Sequence, residues 1–195
     1  MTGKTFHKIF VFLVWSVASS MLGIYLGAYE AYHFNYKMVY QDINGERDLG
    51  GDMLDIDLSG YDYIICTPPC NWWSKANWRR NVSEYSLKTR CLLPIMIMRL
   101  SKLQVPFIIE NVRNKKLFKE FGLFDMGVKH YYIGRHTYWS NVDLSNNGIV
   151  QKPKIEIDSE GNKKYMSSQN LGSKDRQGGE EVHEVVEYFL KKIHF

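Results

Sequence analysis

The sequence predicts an α/β fold built on a mostly parallel sheet. Three observations carry that expectation. Short apolar runs at residues 8–14, 61–67 and 106–110 read as continuous hydrophobic strands, the pattern of strands covered on both faces. Stretches of helical character separate them, as crossover connections between parallel strands require. The chain closes on an amphipathic helix over 180–193, where Val182, Val185, Val186, Phe189, Leu190 and Ile193 recur at i, i+3, i+4, i+7 spacing.

Taken in order, residues 8–14 form a first strand. Ser16, Ser19 and Ser20 offer capping hydroxyls to a helix that runs to Tyr32. Residues 36–41 alternate as a second strand ending at Asp42, and the loop INGERDLGG follows with three glycines. Residues 52–58 are short and acidic. Residues 61–67 form the strand that leads to Pro68, Pro69 and Cys70. Residues 83–103 are helical, with Asn81 and Glu84 at capping-box spacing and Pro94 set to kink or split the helix. Residues 106–110 are a buried strand, 115–121 a short helix stopped by Gly122, and 129–139 an extended tyrosine-rich segment. Residues 154–165 read as a hairpin. Glu180 and Glu181 open the last helix and Lys191 and Lys192 end it, each matching the helix dipole. Strands alternating with helices give a Rossmann-like sheet, whose ligands sit outside the carboxyl ends of the strands.

At 195 residues and 45% hydrophobic, the chain suits one domain over 1–195. A net charge of +4 is compatible with a nucleic-acid partner. Cys66, Cys70 and Cys91 are an odd set without framework spacing, so no disulfide scaffold and no metal site is expected. Residues 9–27 carry no charge and follow Lys4 and Lys8, a composition shared with signal peptides and membrane spans. The run changes at residues 16–20 from β-branched and aromatic to small. That change favours a buried strand and helix, and with it a cytoplasmic protein with no membrane partner.

The chemistry gathers at predicted strand ends. Pro68 and Pro69 withdraw backbone donors and fix the chain, so Cys70 is presented rigidly as a candidate nucleophile. Its thiolate is the reactive form, and a helix amino terminus or the cations Lys75, Arg79 and Arg80 are the two candidate sources of a lowered pKa. A buried structural cysteine is the alternative. Glu110 ends an apolar strand, where burial raises a carboxyl pKa and lets it hold a proton near neutrality. Pairing with Arg113 is the alternative. Asp42 falls where such folds place an acid on ribose hydroxyls. Trp72, Trp73 and Trp78 interleave with Lys75, Arg79 and Arg80, a combination suited to stacking bases and holding phosphates. Packing beneath a loop is the other use of any one tryptophan.

Together these residues resemble the DNA (cytosine-5) methyltransferase family. TPPCNWWS is similar to its Pro-Cys motif, FIIENV to its Glu-Asn-Val motif, and GDMLDID, at Asp52, to its adenine-contacting acidic segment. YYIGRHTYW looks like a degenerate arginine motif with Arg135 surviving, and RQGGEEVHEVVEYF resembles the last motif. The resemblance implies an S-adenosylmethionine-dependent methyltransferase fold and Cys70, Glu110 and Arg135 as catalytic residues. It implies S-adenosylmethionine as cofactor, against Trp15, Ser19, Asp42, Ile43, Asp52 and Pro69. It implies DNA as partner, against Trp72, Ser74, Lys75, Arg79 and Arg80. Three departures stand out. The family's glycine-rich first turn is VWSVASSM here, Thr137 replaces a family arginine, and the 140–175 segment is too short for a full target-recognition domain. The short segment leaves room for a separate specificity partner, and the glycine-poor turn for a catalytically degenerate DNA-binding protein. The small size and the WSKANWRR loop look most like the compact methyltransferases of phages, where restriction protection and self-marking are the two roles open. An amino-group methyltransferase would place an aromatic directly after Pro-Pro; Cys70 stands there instead.

Overall fold

The computed structural model describes residues 8–13, 37–42, 49–74, 77–79, 81–112, 128–134, 136–146, 148, 155–157, 163–165 and 177–194. Seven strands form one mixed sheet: β1 Lys8–Leu13, β2 Lys37–Asp42, β3 Leu49–Gly50, β4 Tyr63–Thr67, β5 Phe107–Val112, β6 Lys129–Ile133 and β7 His136–Ser140. Their spatial order is β3-β2-β1-β4-β5-β7-β6. The β1–β2, β1–β4, β2–β3 and β4–β5 pairings are parallel. β7 runs antiparallel to both β5 and β6. The order reverses between β1 and β4, which is where an open α/β sheet forms its ligand crevice, outside the carboxyl ends. Residues 9–13 of the apolar 9–27 run thus lie in β1, an interior strand paired on both sides. No described helix is long and apolar enough to cross a membrane.

Three helices are described: α1 Glu84–Thr89, α2 Leu92–Leu100 and α3 Gln177–His194. Period-two alternation in β4, β5 and β7 separates two cores. On one face Ile64, Cys66, Phe107, Ile109 and Trp139 pack with Leu93, Met96, Ile97 and Leu100 of α2 and with Trp73. On the other, Tyr63, Ile65, Ile108 and Tyr138 pack with Val182, Val185, Val186, Phe189 and Leu190 of α3. The apolar stripe of the closing helix therefore does what its spacing predicts.

Several expectations are corrected. The 83–103 segment is split, one of the two outcomes expected of Pro94, but the break falls ahead of the proline at Arg90–Cys91. Pro94 sits in the first turn of α2, where its missing N–H costs nothing, and its ring excludes a helical carbonyl at residue 90. The cap of α1 is Ser83, whose hydroxyl accepts from Ser86 N, rather than Asn81. Glu84 pairs with Lys88 at 2.7 Å instead of closing a capping box. The glycine-rich loop contributes the two-residue strand β3. The 129–139 segment is a hairpin turning at Gly134, whose φ of +54° favours glycine. Ser140 and Asn141 lock that hairpin onto β5: Ser140 Oγ donates to Phe107 O at 2.6 Å, and Asn141 Oδ1 accepts from Phe107 N at 2.9 Å. The 154–165 hairpin is present as β8 Ile155–Ile157 and β9 Lys163–Tyr165, paired antiparallel. The helices expected at 16–32 and 115–121 lie outside the described residues.

The acidic 52–58 segment is a series of turns clamped from below. Arg99, in the last turn of α2, donates to Met53 O at 2.9 Å, to Leu54 O at 2.8 Å and to Ile56 O. One planar guanidinium thus satisfies three carbonyls of a segment with no ladder of its own. Arg99→Met should remove roughly 1–3 kcal/mol of stability, because it strands carbonyls away from water. Hydrogen exchange should show faster amides across residues 53–58 and unchanged protection in β4 and β5.

Candidate active site

β4 delivers the chain to the crevice through Thr67, Pro68 and Pro69, all buried, and Cys70 emerges partly exposed. The chain then turns tightly, with Trp73 N and Ser74 N both donating to Cys70 O, at 3.0 and 2.8 Å. The prolines donate no hydrogen bond, so the loop is fastened from outside. Asn111, on the neighbouring β5 and 1% exposed, donates from Nδ2 to Pro68 O at 2.8 Å. Its Oδ1 accepts from Val112 N at 2.9 Å. The asparagine that follows Glu110 therefore ties the end of β5 to the loop that carries the thiol.

Glu110 points to the opposite face of β5 from Asn111, as strand alternation requires. Its side chain is 18% exposed. Loss of hydration raises its carboxyl pKa from 4.5 to about 7. His136 on β7 brings Nε2 to 3.6 Å from Glu110 Oε1, an ion pair when the imidazole is protonated. Burial also pushes the Cys70 thiol up, and the negative charge of Glu110 pushes it further. This overturns the expectation that nearby cations lower it; Arg79 is exposed, and the pKa follows burial and the acid beside it. Cys66 is buried in the core with its pKa raised well above the usual thiol range, and Cys91 is exposed. Among the three thiols, only Cys70 stands at the carboxyl edge of the sheet and partly open to solvent.

The other predicted residues divide. Asp42 closes β2 opposite Gly50. Asp52 is exposed in the turn after β3, and its Oδ1 accepts from Leu54 N at 2.9 Å, so the carboxylate shapes its own turn. Trp73 is 2% exposed and belongs to the core, not to a binding surface. Trp72 is half-buried, with the Arg90 guanidinium 4.9 Å from its ring centre. Ser74 is half-buried in the turn after Cys70. Trp15, Ser19, Ile43, Lys75, Arg80, Arg113 and Arg135 lie outside the described residues. Thr137 is fully buried, opposite Asn111 in the β5–β7 register, on the face away from Glu110.

Two neighbours of the site were not anticipated. His136 reaches Glu110 only because β7 runs antiparallel with a fixed register, which the tyrosine-rich sequence does not reveal. Tyr85 of α1 lies near enough to Cys70 that, after burial, a charge there raises its hydroxyl pKa. Among the described residues no three His, Cys, Asp or Glu side chains gather as metal ligands.

The arrangement brings together a partly exposed thiol and a carboxyl group that titrates near neutrality, each close enough for the charge of Glu110 to act on Cys70. The chain is similar to the Type II methyltransferase M1.HgaI of Avibacterium volantium, 33% identical over 99 residues. The match covers 49% of this chain and 28% of that relative. No protein-family model matches the chain.

The Glu110 pKa lies above the ordinary carboxylate value. Between pH 4.5 and about 7 the folded state therefore holds a proton that the unfolded chain releases, and stability falls as pH rises through that window. The full shift corresponds to roughly 3 kcal/mol. Glu110→Gln should abolish that decline and make the protein more stable than wild type above pH 7 in urea titrations. The same variant should speed iodoacetamide labelling of Cys70, read by mass spectrometry, since the charge opposing the thiolate is gone. Equal labelling rates would place Glu110 out of electrostatic reach of Cys70.

Proposed function

We propose that this chain transfers a methyl group from S-adenosylmethionine to C5 of cytosine in DNA, through a transient bond to Cys70. The observation that carries the reading is the joint placement of Cys70 and Glu110 at the β4 and β5 ends, with Asn111 joining the two strands' loops. Similarity to a Type II methyltransferase supports methyl transfer. The strand order, reversing at β1/β4 with an antiparallel β7, supports an S-adenosylmethionine-dependent methyltransferase fold.

The roles follow from the two pKa shifts. Cytosine C6 is a poor electrophile until N3 is protonated or hydrogen-bonded. Glu110, titrating at about 7, carries the proton that N3 needs. Protonation of Glu110 also removes the negative charge that raises the Cys70 pKa, so the acid form of one group favours the thiolate of the other. Thiolate plus protonated acid has the same charge as thiol plus carboxylate, and the pair exchanges one proton without charging the site. The Cys70 sulfur then bonds to C6, and the C5–C6 electrons make C5 nucleophilic. S-adenosylmethionine supplies the methyl group. Loss of the C5 proton to a base reforms the double bond, breaks the S–C6 bond and returns the thiolate. Glu110 recovers its proton from N3.

On this reading Asp42, Asp52 and Pro69 would contact the cofactor, and Trp72, Ser74 and Arg79, which follow Cys70 in the chain, would contact DNA. Specificity for a DNA sequence would come from a short segment at 140–175 or from a separate partner. Incubation of duplex DNA with methyl-labelled S-adenosylmethionine, digestion to nucleosides and mass spectrometry should give 5-methyldeoxycytidine. Cys70→Ala and Glu110→Ala should each lower the yield at least about 100-fold, the scale of a lost nucleophile or general acid. Label on an exocyclic amine of cytosine or adenine would overturn the C5 assignment.

A further inference from the structure

The three tryptophans after Cys70 are chemically alike in sequence and unlike in the fold. Trp73 is core and Trp72 is half-buried under Arg90. Trp78 is 84% exposed. Val82 is 74% exposed and Leu87 49% exposed, so three of the four exposed large hydrophobics among the described residues fall within ten positions, 78–87. Scattered apolar residues on a surface need no explanation, but a concentration beside a candidate site does.

The segment is anchored at its base and open at its tip. Asn77 Nδ2 donates to Asn71 O at 2.9 Å and to Ser86 Oγ at 2.8 Å, fixing the loop to the turn after Cys70 and to α1. Immediately beyond that anchor stand Trp78 and Arg79, with the Arg79 guanidinium 5.4 Å from the Trp78 ring centre. An open polar pocket of about 420 Å³ lies alongside, lined by Asn71, Asn77, Arg79 and Ser83 among others. An exposed ring, a cation beside it and a pocket of amides and hydroxyls match a base step, a phosphate and a sugar.

We infer that Trp78 is a wedge that enters the base stack of duplex DNA beside the extruded cytosine, while Arg79 leaves the ring for the adjacent phosphate. The inference rests on the reading of DNA cytosine as substrate and adds how the base is brought out. Apolar side chains inserted between base steps hold a distorted duplex open, and an enzyme acting on a base must remove it from the stack. Val82, four residues on and equally open, would line the same gap.

The test compares duplex DNA with the same DNA as separated single strands, where no stack has to be opened. Trp78→Ala should lower duplex methylation about tenfold or more, the scale of one lost base–aromatic stack. It should leave the single-strand rate within about threefold, and Trp78→Phe should restore most of the duplex rate. Duplex methylation by Trp78→Ala at the wild-type rate would overturn the wedge and leave the methyltransferase reading standing. An equal loss on both substrates would also overturn it, assigning Trp78 to general binding. Absence of methylation by the wild-type protein on either DNA would overturn the functional reading, and the wedge with it. Trp78 is 84% exposed and belongs to neither core cluster of the described residues, so matched melting curves separate these outcomes from misfolding.

Discussion

One buried hydrogen bond organises the site, from Asn111 Nδ2 to Pro68 O. Two prolines in a row stiffen the chain but bring no donor of their own, so the Pro-Pro step is fastened from outside. The neighbouring strand does it with an asparagine that is 1% exposed. Losing that donor strands a buried carbonyl, at a cost of roughly 1–3 kcal/mol, and releases Cys70 from its fixed presentation. Because Asn111 and Glu110 are adjacent on β5, alternation sends one to the loop and the other to the opposite face. One stretch of β5 thus sets both the Cys70 loop and the acid.

The electrostatics of the site depend on that enclosure. Dehydration, not cationic neighbours, dominates the pKa of Glu110 and of Cys70, and it moves both upward. For a carboxyl group the shift is useful, because it keeps a proton available near pH 7. For a thiol it is adverse, and Glu110 makes it worse while ionised. The two shifts reconcile when Glu110 is protonated, which ties the reactivity of the thiol to the protonation of the acid. The enclosed acid costs the folded state stability above pH 7.

The architecture was legible wherever local physics decides it. β4 and β5 are continuous apolar runs because both sheet faces are covered, and the stripe of α3 is a 3.6-residue pattern packed on one core. What was hidden depends on pairings distant in sequence. The reversal of β7 brings His136 to Glu110 and is encoded in side-chain bonds from Ser140 and Asn141 to β5, not in any periodicity. The capping of α1 by Ser83 instead of Asn81 was a contest between two good caps two residues apart. Cys70 was visible as a residue just past a strand end; Glu110, read as the last residue of its strand, is followed in β5 by Asn111 and Val112. Which tryptophan is core and which is open was not visible, because three aromatics in seven positions carry no sign of which the α2 core will take. The direction of the Cys70 shift also escaped the sequence, where the basic residues of the loop are conspicuous and the neighbouring acid is forty positions away.

The central claim is that Cys70 bonds to a cytosine ring held by Glu110. Duplex DNA in which 5-fluorocytosine replaces cytosine blocks the final proton loss, so the bond should persist. With S-adenosylmethionine present, the account predicts a denaturation-resistant protein–DNA adduct, mapped to Cys70 by peptide mass spectrometry and absent from Cys70→Ala. Cofactor binding by the wild-type protein without any adduct on that DNA would contradict it.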